Sequence, residues 1–164
     1  MNTEIVSPAR RRFVSQLSVA AASLLLFAKT SLAEAIETLN LSDAEWKKRL
    51  TDMQYKVLRH EATEKPFSSP LYTEHRKGVF HCAGCDLALF TSDMKYDSGT
   101  GWPSFFKVIE GRVKTKKDFS HIFPRTEYHC ARCGGHHGHL FDDGPQPTGL
   151  RYCNNGVALI FKPV

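Results

Sequence analysis

Five cysteines and a histidine cluster are the residues of this sequence whose types and spacing could carry chemistry. Four of the cysteines form two Cys-x-x-Cys pairs, Cys82 with Cys85 and Cys130 with Cys133, and 44 residues separate the two pairs. Two such pairs can supply four thiolates to one tetrahedral zinc ion. The alternatives are two disulfides, or one pair that acts as a redox couple. Neither pair has the strand-to-helix context of a thioredoxin-like couple, so the pattern favours a structural zinc site.

The fifth cysteine, Cys153, is left over from these pairs, and its neighbours favour a nucleophile. Residues 150–153 (Leu-Arg-Tyr-Cys) predict a strand, and because side chains alternate along a strand, Arg151 and Cys153 share a face. A nearby guanidinium favours the thiolate over the thiol. An inert buried thiol and an intermolecular disulfide are the alternatives.

Three histidines follow the second cysteine pair. An imidazole can donate a proton near neutral pH, so His136 and His139 are candidates for acid catalysis. These histidines could instead bind a metal, but four cysteines already complete a tetrahedron. We assign no chemical role to His137.

Short elements are expected to position these groups. Ser42 and Glu45 form a capping-box pattern, and apolar residues then follow at helical spacing, which predicts one amphipathic helix or two short ones that end before Pro66. Strand-like runs flank each cysteine pair, so each pair should lie at the tip of a hairpin. Asn155-Gly156 predicts a tight hairpin turn from the Cys153 strand into a strand over 157–161.

Residues 1–33 have the order of segments found in an export signal. Three arginines at 10–12 precede an apolar run over 17–28, and Ser-Leu-Ala at 31–33 resembles a cleavage site. The run is shorter than the roughly 20 residues that a helix needs to span a bilayer, which argues against an uncleaved anchor. The residues Arg-Arg-Arg-Phe-Val at 10–14 resemble a twin-arginine signal more than a general secretory one. We therefore predict export to the periplasm, with no membrane attachment after cleavage.

The formal net charge of +5 does not indicate a nucleic-acid partner. Residues 1–33 hold four basic side chains against one acidic side chain, so the rest of the chain carries only +2. That surplus is too small to argue for binding to a polyanion. A composition of 41% apolar and 24% charged residues fits one globular domain over 34–164, which we expect to be a monomer.

Taken together, these motifs resemble the B-type methionine sulfoxide reductases. The shared motifs are Gly-Trp-Pro-Ser-Phe at 101–105, His-His-Gly-His-Leu-Phe at 136–141, Asp-Gly-Pro at 143–145 and Arg-Tyr-Cys-Asn-Asn at 151–155. The resemblance spans about residues 41–162 and includes Thr-Glu-Lys-Pro-Phe at 63–67 and both cysteine pairs. Several separate motifs in the same order argue against accidental similarity.

The resemblance implies a mainly β fold, in which two antiparallel sheets form a barrel-like or tent-like core with short N-terminal helices and a zinc site of four cysteines. It implies reduction of the R epimer of methionine sulfoxide in proteins and peptides, with a thioredoxin-like or other thiol as the reductant. It assigns the roles as follows: Cys153 as nucleophile, His136 and His139 as acid and orienting groups, Arg151 and Asn155 as polar groups around the thiolate, Trp102 and Phe141 as substrate-binding residues, and Cys82, Cys85, Cys130 and Cys133 as zinc ligands.

The chemistry of a sulfoxide explains why such residues would be needed. Its sulfur is electron-poor, its oxygen must be protonated before it leaves, and its methyl group is apolar. A thiolate at Cys153, a proton from His139 or His136 and the indole of Trp102 answer these needs in turn. The products would be methionine and a sulfenic acid on Cys153.

Two departures from the family pattern bear on this interpretation. Many members carry a resolving cysteine where this chain has Thr100, so we expect an external thiol to reduce the sulfenic acid directly. Relatives usually carry an apolar residue and a serine where this chain has Asn154 and Gly156, which predicts looser packing behind Cys153.

The competing hypothesis is a non-catalytic, zinc-stapled module that binds a peptide in the same groove. Such a module would need neither Cys153 nor the two histidines. A zinc-dependent hydrolase agrees poorly with the sequence, because four thiolates leave no open position for water.

Overall fold

The computed structural model describes residues 36–120 and 122–164. The predicted signal peptide over 1–33 lies outside the described residues. Within the part described, no helix is both long enough and apolar enough to cross a membrane. Its helices and strands, in chain order, are α1 (Asp43–Arg49), α2 (Asp52–His60), β1 (Gly78–Cys82), β2 (Ala88–Thr91), β3 (Lys95–Tyr96), β4 (Ser104–Phe105), β5 (Val113–Asp118), β6 (Arg125–Cys130), β7 (His136–Phe141), β8 (Arg151–Asn154) and β9 (Leu159–Pro163).

Two short helices form where the sequence allowed either one helix or two. The predicted capping box is present, since the Ser42 side chain accepts from the Glu45 N–H and the Glu45 side chain binds back to Ser42. The first helix ends because Leu50 is extended (φ −108°, ψ 150°), and Thr51 begins a second capping box with Gln54. Each box satisfies N–H groups that a helix start would otherwise leave unpaired.

Two antiparallel sheets make up the rest of the described domain, which confirms the predicted mainly β fold. The smaller sheet has the strand order β2-β1-β9, and the larger has the order β3-β4-β8-β7-β6-β5. Each sheet keeps two edge strands, so the sheets do not close into a barrel. The strand β8, which carries Cys153, lies in the interior of the larger sheet, between β4 and β7.

The predicted hairpin turn at Asn155-Gly156 is wrong. A two-residue hairpin turn of that type requires positive φ at both residues, whereas Asn155 has φ −64°. Residues 156–158 form a 3-10 turn instead, and the chain crosses to the other sheet, where β9 pairs with β1. The Asn155 side chain explains the change, because it binds backbone groups of two other segments rather than its own turn.

An aromatic core lies where the two sheets pack. Phe80 and Phe90 from the small sheet pack on Phe105 and Tyr128 from the large one, and all four are fully buried. The rings of Phe90 and Phe105 stack with centroids 4.0 Å apart. Burying a side chain of this size contributes about 1.5–3 kcal/mol. This core holds β4, and through it the neighbouring β8, in a fixed position.

Candidate active site and metal centre

The four cysteines of the Cys-x-x-Cys pairs form one buried cluster. Their sulfur atoms all lie within 4.8 Å of one another. The Cys82 and Cys133 sulfurs are 3.6 Å apart and the Cys85 and Cys130 sulfurs 3.4 Å apart, and all four thiols are free. A disulfide bond is much shorter, whereas thiolates ~2.3 Å from one zinc ion in a tetrahedron lie ~3.8 Å apart. The cluster therefore has the size of a four-thiolate metal site.

Both cysteine pairs have the same turn geometry. In each pair the N–H four residues after the first cysteine donates to the carbonyl of that cysteine, from Asp86 to Cys82 and from Gly134 to Cys130. The first turn connects β1 to β2, and the second connects β6 to β7. A metal held between them would join the small sheet to the large one.

Cys153 lies opposite a histidine and a serine in its sheet. Its register partners are His139 on β7 and Ser104 on β4. Gly138 permits the close approach of β7, since a Cβ at that position would lie 1.9 Å from the Cys153 carbonyl oxygen. The Cys153 side chain is partly exposed, and its thiol is free.

The charge state of Cys153 differs from the sequence-based expectation. Burial raises the pKa of the Cys153 thiol above its ordinary value. The charge of Arg151 and hydrogen bonding from the Thr100 hydroxyl act in the opposite direction, but they offset burial only in part. The guanidinium thus lowers the pKa as predicted, yet the free site holds a thiol rather than a thiolate at neutral pH.

A cavity of about 130 Å³ opens beside Cys153. Five of the seven predicted catalytic and substrate-binding residues line it: Trp102, His139, Phe141, Cys153 and Asn155. Thr63, Arg125, Gly138 and Asn154 complete the wall. A larger groove of about 830 Å³, lined by residues such as Arg76 and Phe161, contains none of the predicted site residues.

His139 is oriented by a carboxylate that the sequence did not reveal. Its Nε2 lies 2.7 Å from Oδ2 of Asp118, the last residue of β5. Hydrogen bonds from Ser120, together with His139 and Arg125, hold the pKa of the Asp118 carboxyl far below its ordinary value. Burial lowers the pKa of His139, and Asp118 acts in the opposite direction. An ionised Asp118 accepts the proton on Nε2 and so leaves Nδ1 as the nitrogen that can exchange a proton.

His136 lies behind His139 and does not line the cavity. The two rings meet edge to face with centroids 5.6 Å apart, and only 3% of His136 is exposed. Its Nδ1 donates to Oε1 of Glu127 at 2.8 Å, while its buried Nε2 has no partner among the described residues. Burial lowers the pKa of His136, although the charge of Glu61 acts in the opposite direction.

Arg151 also lies outside the lining of this cavity. Its guanidinium forms two hydrogen bonds of 2.7 Å to the Asp143 carboxylate and stacks over the Phe141 ring at 4.2 Å. This double contact fixes the direction of the guanidinium and supports the ring of Phe141.

Asn155 and Trp102 are both held by Glu64. The Asn155 side chain accepts from the Glu64 N–H at 2.9 Å and donates to the His137 carbonyl at 3.0 Å, while the Trp102 indole N–H donates to the Glu64 carbonyl at 3.2 Å. The Glu64 carboxylate in turn accepts from the N–H groups of Gly156 and Val157. One buried residue therefore connects the indole wall to the segment that follows Cys153.

The structure explains why this chain has glycine at position 156, where relatives usually carry serine. A Cβ on Gly156 would lie 2.0 Å from the Ser69 hydroxyl oxygen, so Ser69 already fills the space that a side chain would need. Asn154 is fully buried, and its amide oxygen lies 3.4 Å from Nδ1 of His137. His137, which we expected to have no chemical role, is a core residue stacked on Tyr128.

Asp118, Glu127 and Glu64 were not identified from the sequence. Asp118 ends a lysine-rich strand that reads as a solvated surface, and Glu127 falls in a run assigned only to a strand. Their contacts with the histidines depend on pairing across β5, β6 and β7, where a bulge shifts the register between Tyr128 and His129. The only available signal was the motif at 63–67, which includes Glu64.

Comparison with known proteins identifies close relatives. The SelR domain family matches residues 50–163. The peptide methionine sulfoxide reductase MsrB of Agrobacterium fabrum is 51% identical over 127 residues, which cover 77% of this chain and 94% of that protein. The MsrB proteins of Methanosarcina barkeri and Leptospira interrogans are 54% and 52% identical, over 78% and 76% of this chain and 91% and 95% of their own lengths.

Proposed function

The chain belongs to the SelR domain family of B-type methionine sulfoxide reductases, and we propose that it reduces methionine sulfoxide in peptides and proteins to methionine. The observation that supports this most directly is the placement of Cys153, His139 and Trp102 around one cavity. This cavity combines a nucleophile, an acid and an apolar wall. We further propose that the enzyme acts on the R epimer.

In the free enzyme the two reacting groups, the Cys153 thiol and the His139 imidazole, are uncharged. Burial raises the pKa of Cys153 and lowers that of His139, so the thiol and the imidazole are both neutral in the free enzyme at neutral pH. The Cys153 sulfur attacks the sulfoxide sulfur while its proton passes to Nδ1 of His139. This order avoids a permanent buried thiolate, which the surroundings disfavour.

The imidazolium then protonates the sulfoxide oxygen. The resulting hydroxyl group moves from the substrate sulfur to the Cys153 sulfur as the bond between the two sulfurs breaks, which leaves a sulfenic acid on Cys153 and releases methionine as the thioether. The substrate sulfur thus gains the two electrons that the cysteine sulfur loses. Asp118 stabilises the transient charge on His139 from a distance of 2.7 Å. His136 positions His139 through the contact between their rings.

Trp102 and Phe141 are proposed to bind the apolar part of the substrate. Both line the cavity, and each is fixed by a contact behind it, Trp102 by the Glu64 carbonyl and Phe141 by the Arg151 guanidinium. A rigid aromatic wall selects the orientation of the sulfoxide methyl group and with it the epimer.

We propose that Cys82, Cys85, Cys130 and Cys133 bind one structural Zn²⁺ per chain. The cluster has the size that four zinc-bound thiolates require, and four sulfurs leave no position for a substrate. The metal would stabilise the fold by joining the two sheets, and it would take no part in the reaction.

A separate proposal concerns the export signal predicted over residues 1–33. We propose that the chain follows the twin-arginine route and acts as a monomer in the periplasm on oxidised exported proteins. Replacing Arg10 and Arg11 by lysine should retain the protein in the cytoplasm, and N-terminal sequencing of exported protein should begin at Glu34 or one or two residues later. Export of the double-lysine variant at the wild-type level would contradict the twin-arginine route.

The proposed activity is tested with a peptide that carries one methionine sulfoxide of defined epimer, with dithiothreitol as the reductant. We expect the wild-type enzyme to reduce the R epimer at least a hundredfold faster than the S epimer, and Cys153→Ser to be inactive. Zinc should stay bound to that variant. If the wild-type protein binds the peptide but reduces neither epimer, the non-catalytic binding module is the correct interpretation.

A further inference from the structure

A second cavity lies close to Cys153, next to Thr100 and Arg151, although Cys153 itself is not one of its lining residues. It has a volume of about 370 Å³ and shares no lining residue with the substrate cavity. Its wall consists of Tyr96, Asp97, Ser98, Thr100, Asp143, Gly144, Pro145 and Arg151. Two of these residues, Thr100 and Arg151, are close enough to the Cys153 sulfur to lower its pKa by hydrogen bonding.

The strand order explains why both cavities lie close to Cys153. Cys153 pairs with His139 of β7 on one side and with Ser104 of β4 on the other. The substrate cavity opens on the side of His139. The second cavity is built from β3 and the segment that leads into β4, together with the segment that precedes β8.

The second cavity contains a polar group without a partner. The Tyr96 hydroxyl is buried and makes no hydrogen bond to any other described residue. Burial is the main cause that raises the pKa of Tyr96, and the nearby charges of Arg151, Asp143 and Cys153 also act on it. A buried hydroxyl is usually paired with protein, water or ligand. Tyr96 therefore keeps an unused hydrogen bond at the wall of this cavity.

Regeneration of the Cys153 thiol requires a second thiol that approaches from the side of the second cavity. The oxygen that Cys153 receives comes from the substrate cavity, next to His139, so the S–O bond points into that cavity. A thiol that displaces the oxygen must approach the sulfur from the opposite direction, as in thiol–disulfide exchange. The sequence holds only five cysteines, and four of them form the metal cluster, so the thiol has to come from another molecule.

We propose that the cavity formed by Tyr96, Thr100 and Arg151 is the binding site of a low-molecular-weight thiol that reduces the Cys153 sulfenic acid. This inference rests on the proposed reductase activity. The thiol sulfur bonds to Cys153, and the sulfenic oxygen leaves as water with the thiol proton. A second molecule of the same thiol then attacks the mixed disulfide, which releases the small disulfide and restores the Cys153 thiol. A cavity of this size can hold a small thiol, whereas a folded protein could bring only one protruding side chain into it.

The two half-reactions are measured separately with the whole enzyme. Methionine formation in the absence of thiol follows the first, and loss of the sulfenic acid after addition of 2-mercaptoethanol follows the second. Tyr96→Phe removes the unpartnered hydroxyl without a change of shape, and Pro145→Trp adds bulk to an exposed residue of the cavity wall. We expect both variants to form methionine at the wild-type rate and to be recycled at least tenfold more slowly.

The matched control is Trp102→Phe, which alters the other cavity. It should slow methionine formation and leave recycling by 2-mercaptoethanol unchanged. Wild-type recycling rates in both Tyr96→Phe and Pro145→Trp would overturn the proposal, as would a wild-type enzyme that is recycled by a thioredoxin-type protein but by no small thiol. Failure of the wild-type enzyme to form methionine would instead contradict the proposed function itself.

Discussion

Nε2 of His139 lies 2.7 Å from Oδ2 of Asp118, and this contact connects the acid of the cavity to the end of an otherwise lysine-rich strand. Asp118 is also bound by Arg125 at 2.8 Å, so the carboxylate is held in place and stays ionised. A fixed carboxylate sets the tautomer of a histidine and stabilises its protonated form. Asp118 therefore enables His139 to carry a proton from Cys153 to a sulfoxide.

Replacing Asp118 by asparagine should impair proton transfer without loss of the fold. We expect kcat for methionine formation to fall about tenfold to a hundredfold, because acid catalysis contributes at least that much. The substrate KM should change little, since Asp118 does not line the cavity. The control is Asp86→Asn, which alters an exposed aspartate that contacts His81 at 3.3 Å outside the site. Equal kcat values for the two variants would contradict the role of Asp118.

Replacing Glu64 by glutamine should loosen two parts of the substrate cavity, the Trp102 indole and the segment that follows Cys153. The carboxylate of Glu64 accepts two backbone N–H groups, and an amide would turn an N–H₂ toward at least one of them. We expect the free energy of unfolding to fall by about 1–3 kcal/mol and KM to rise, with the fluorescence of Trp102 changed. Denaturant titration and steady-state kinetics measure these effects. The exposed Glu110 provides the control, and Glu110→Gln should have little effect on either quantity.

His137 should make the protein less stable in acid. Burial lowers the pKa of His137 to about 4 in the folded protein, from 6.5 for an exposed histidine. Between these two values only the unfolded chain binds the proton, so the free energy of unfolding falls as the pH drops from 6.5 to 4. The loss for one such group reaches about 3 kcal/mol. Denaturant titrations across this range should show a smaller loss for His137→Phe than for the wild type. A wild-type slope in His137→Phe would contradict this prediction.

Removal of the metal should destabilise the fold. A structural zinc ion in small domains contributes about 10–16 kcal/mol of binding free energy, which is lost with the ion. We expect Cys82→Ser, or treatment with a strong chelator, to lower Tm sharply and to reduce the zinc content measured by mass spectrometry. Cys153→Ser should keep one zinc ion and a wild-type Tm. Disulfides within the two pairs of the native protein, instead of four metal-bound thiolates, would contradict the zinc site.

The sequence predicted the parts of the molecule that short-range patterns determine. The metal cluster follows from two Cys-x-x-Cys spacings, and the first helix follows from the capping box of Ser42 and Glu45. The hairpin predicted at Asn155-Gly156 failed because the Asn155 side chain is used by Glu64 and His137, which are distant in sequence. A local turn preference gives way when such contacts satisfy buried backbone groups.

The partners of the histidines could not be predicted because they depend on strand register. Asp118 reaches His139 only through the pairing of β5 with β6 and of β6 with β7, and a bulge shifts the second pairing. A shift by one residue would move Asp118 or His139 to the opposite face of the sheet. The sequence predicted a thiolate at Cys153, whereas burial favours the thiol. The degree of burial depends on packing between segments that are distant in sequence, so it cannot be inferred from the neighbouring residues.

The most direct test of this mechanism is the mass of the protein after a single turnover without reductant. The wild-type enzyme is mixed with an excess of a peptide that contains methionine-R-sulfoxide, and the intact protein and its fragments are analysed by mass spectrometry. We predict one methionine formed per chain and one added oxygen, located on Cys153. Methionine formed with no added oxygen on Cys153, or with Cys153 joined to a cysteine of the metal cluster, would contradict the mechanism.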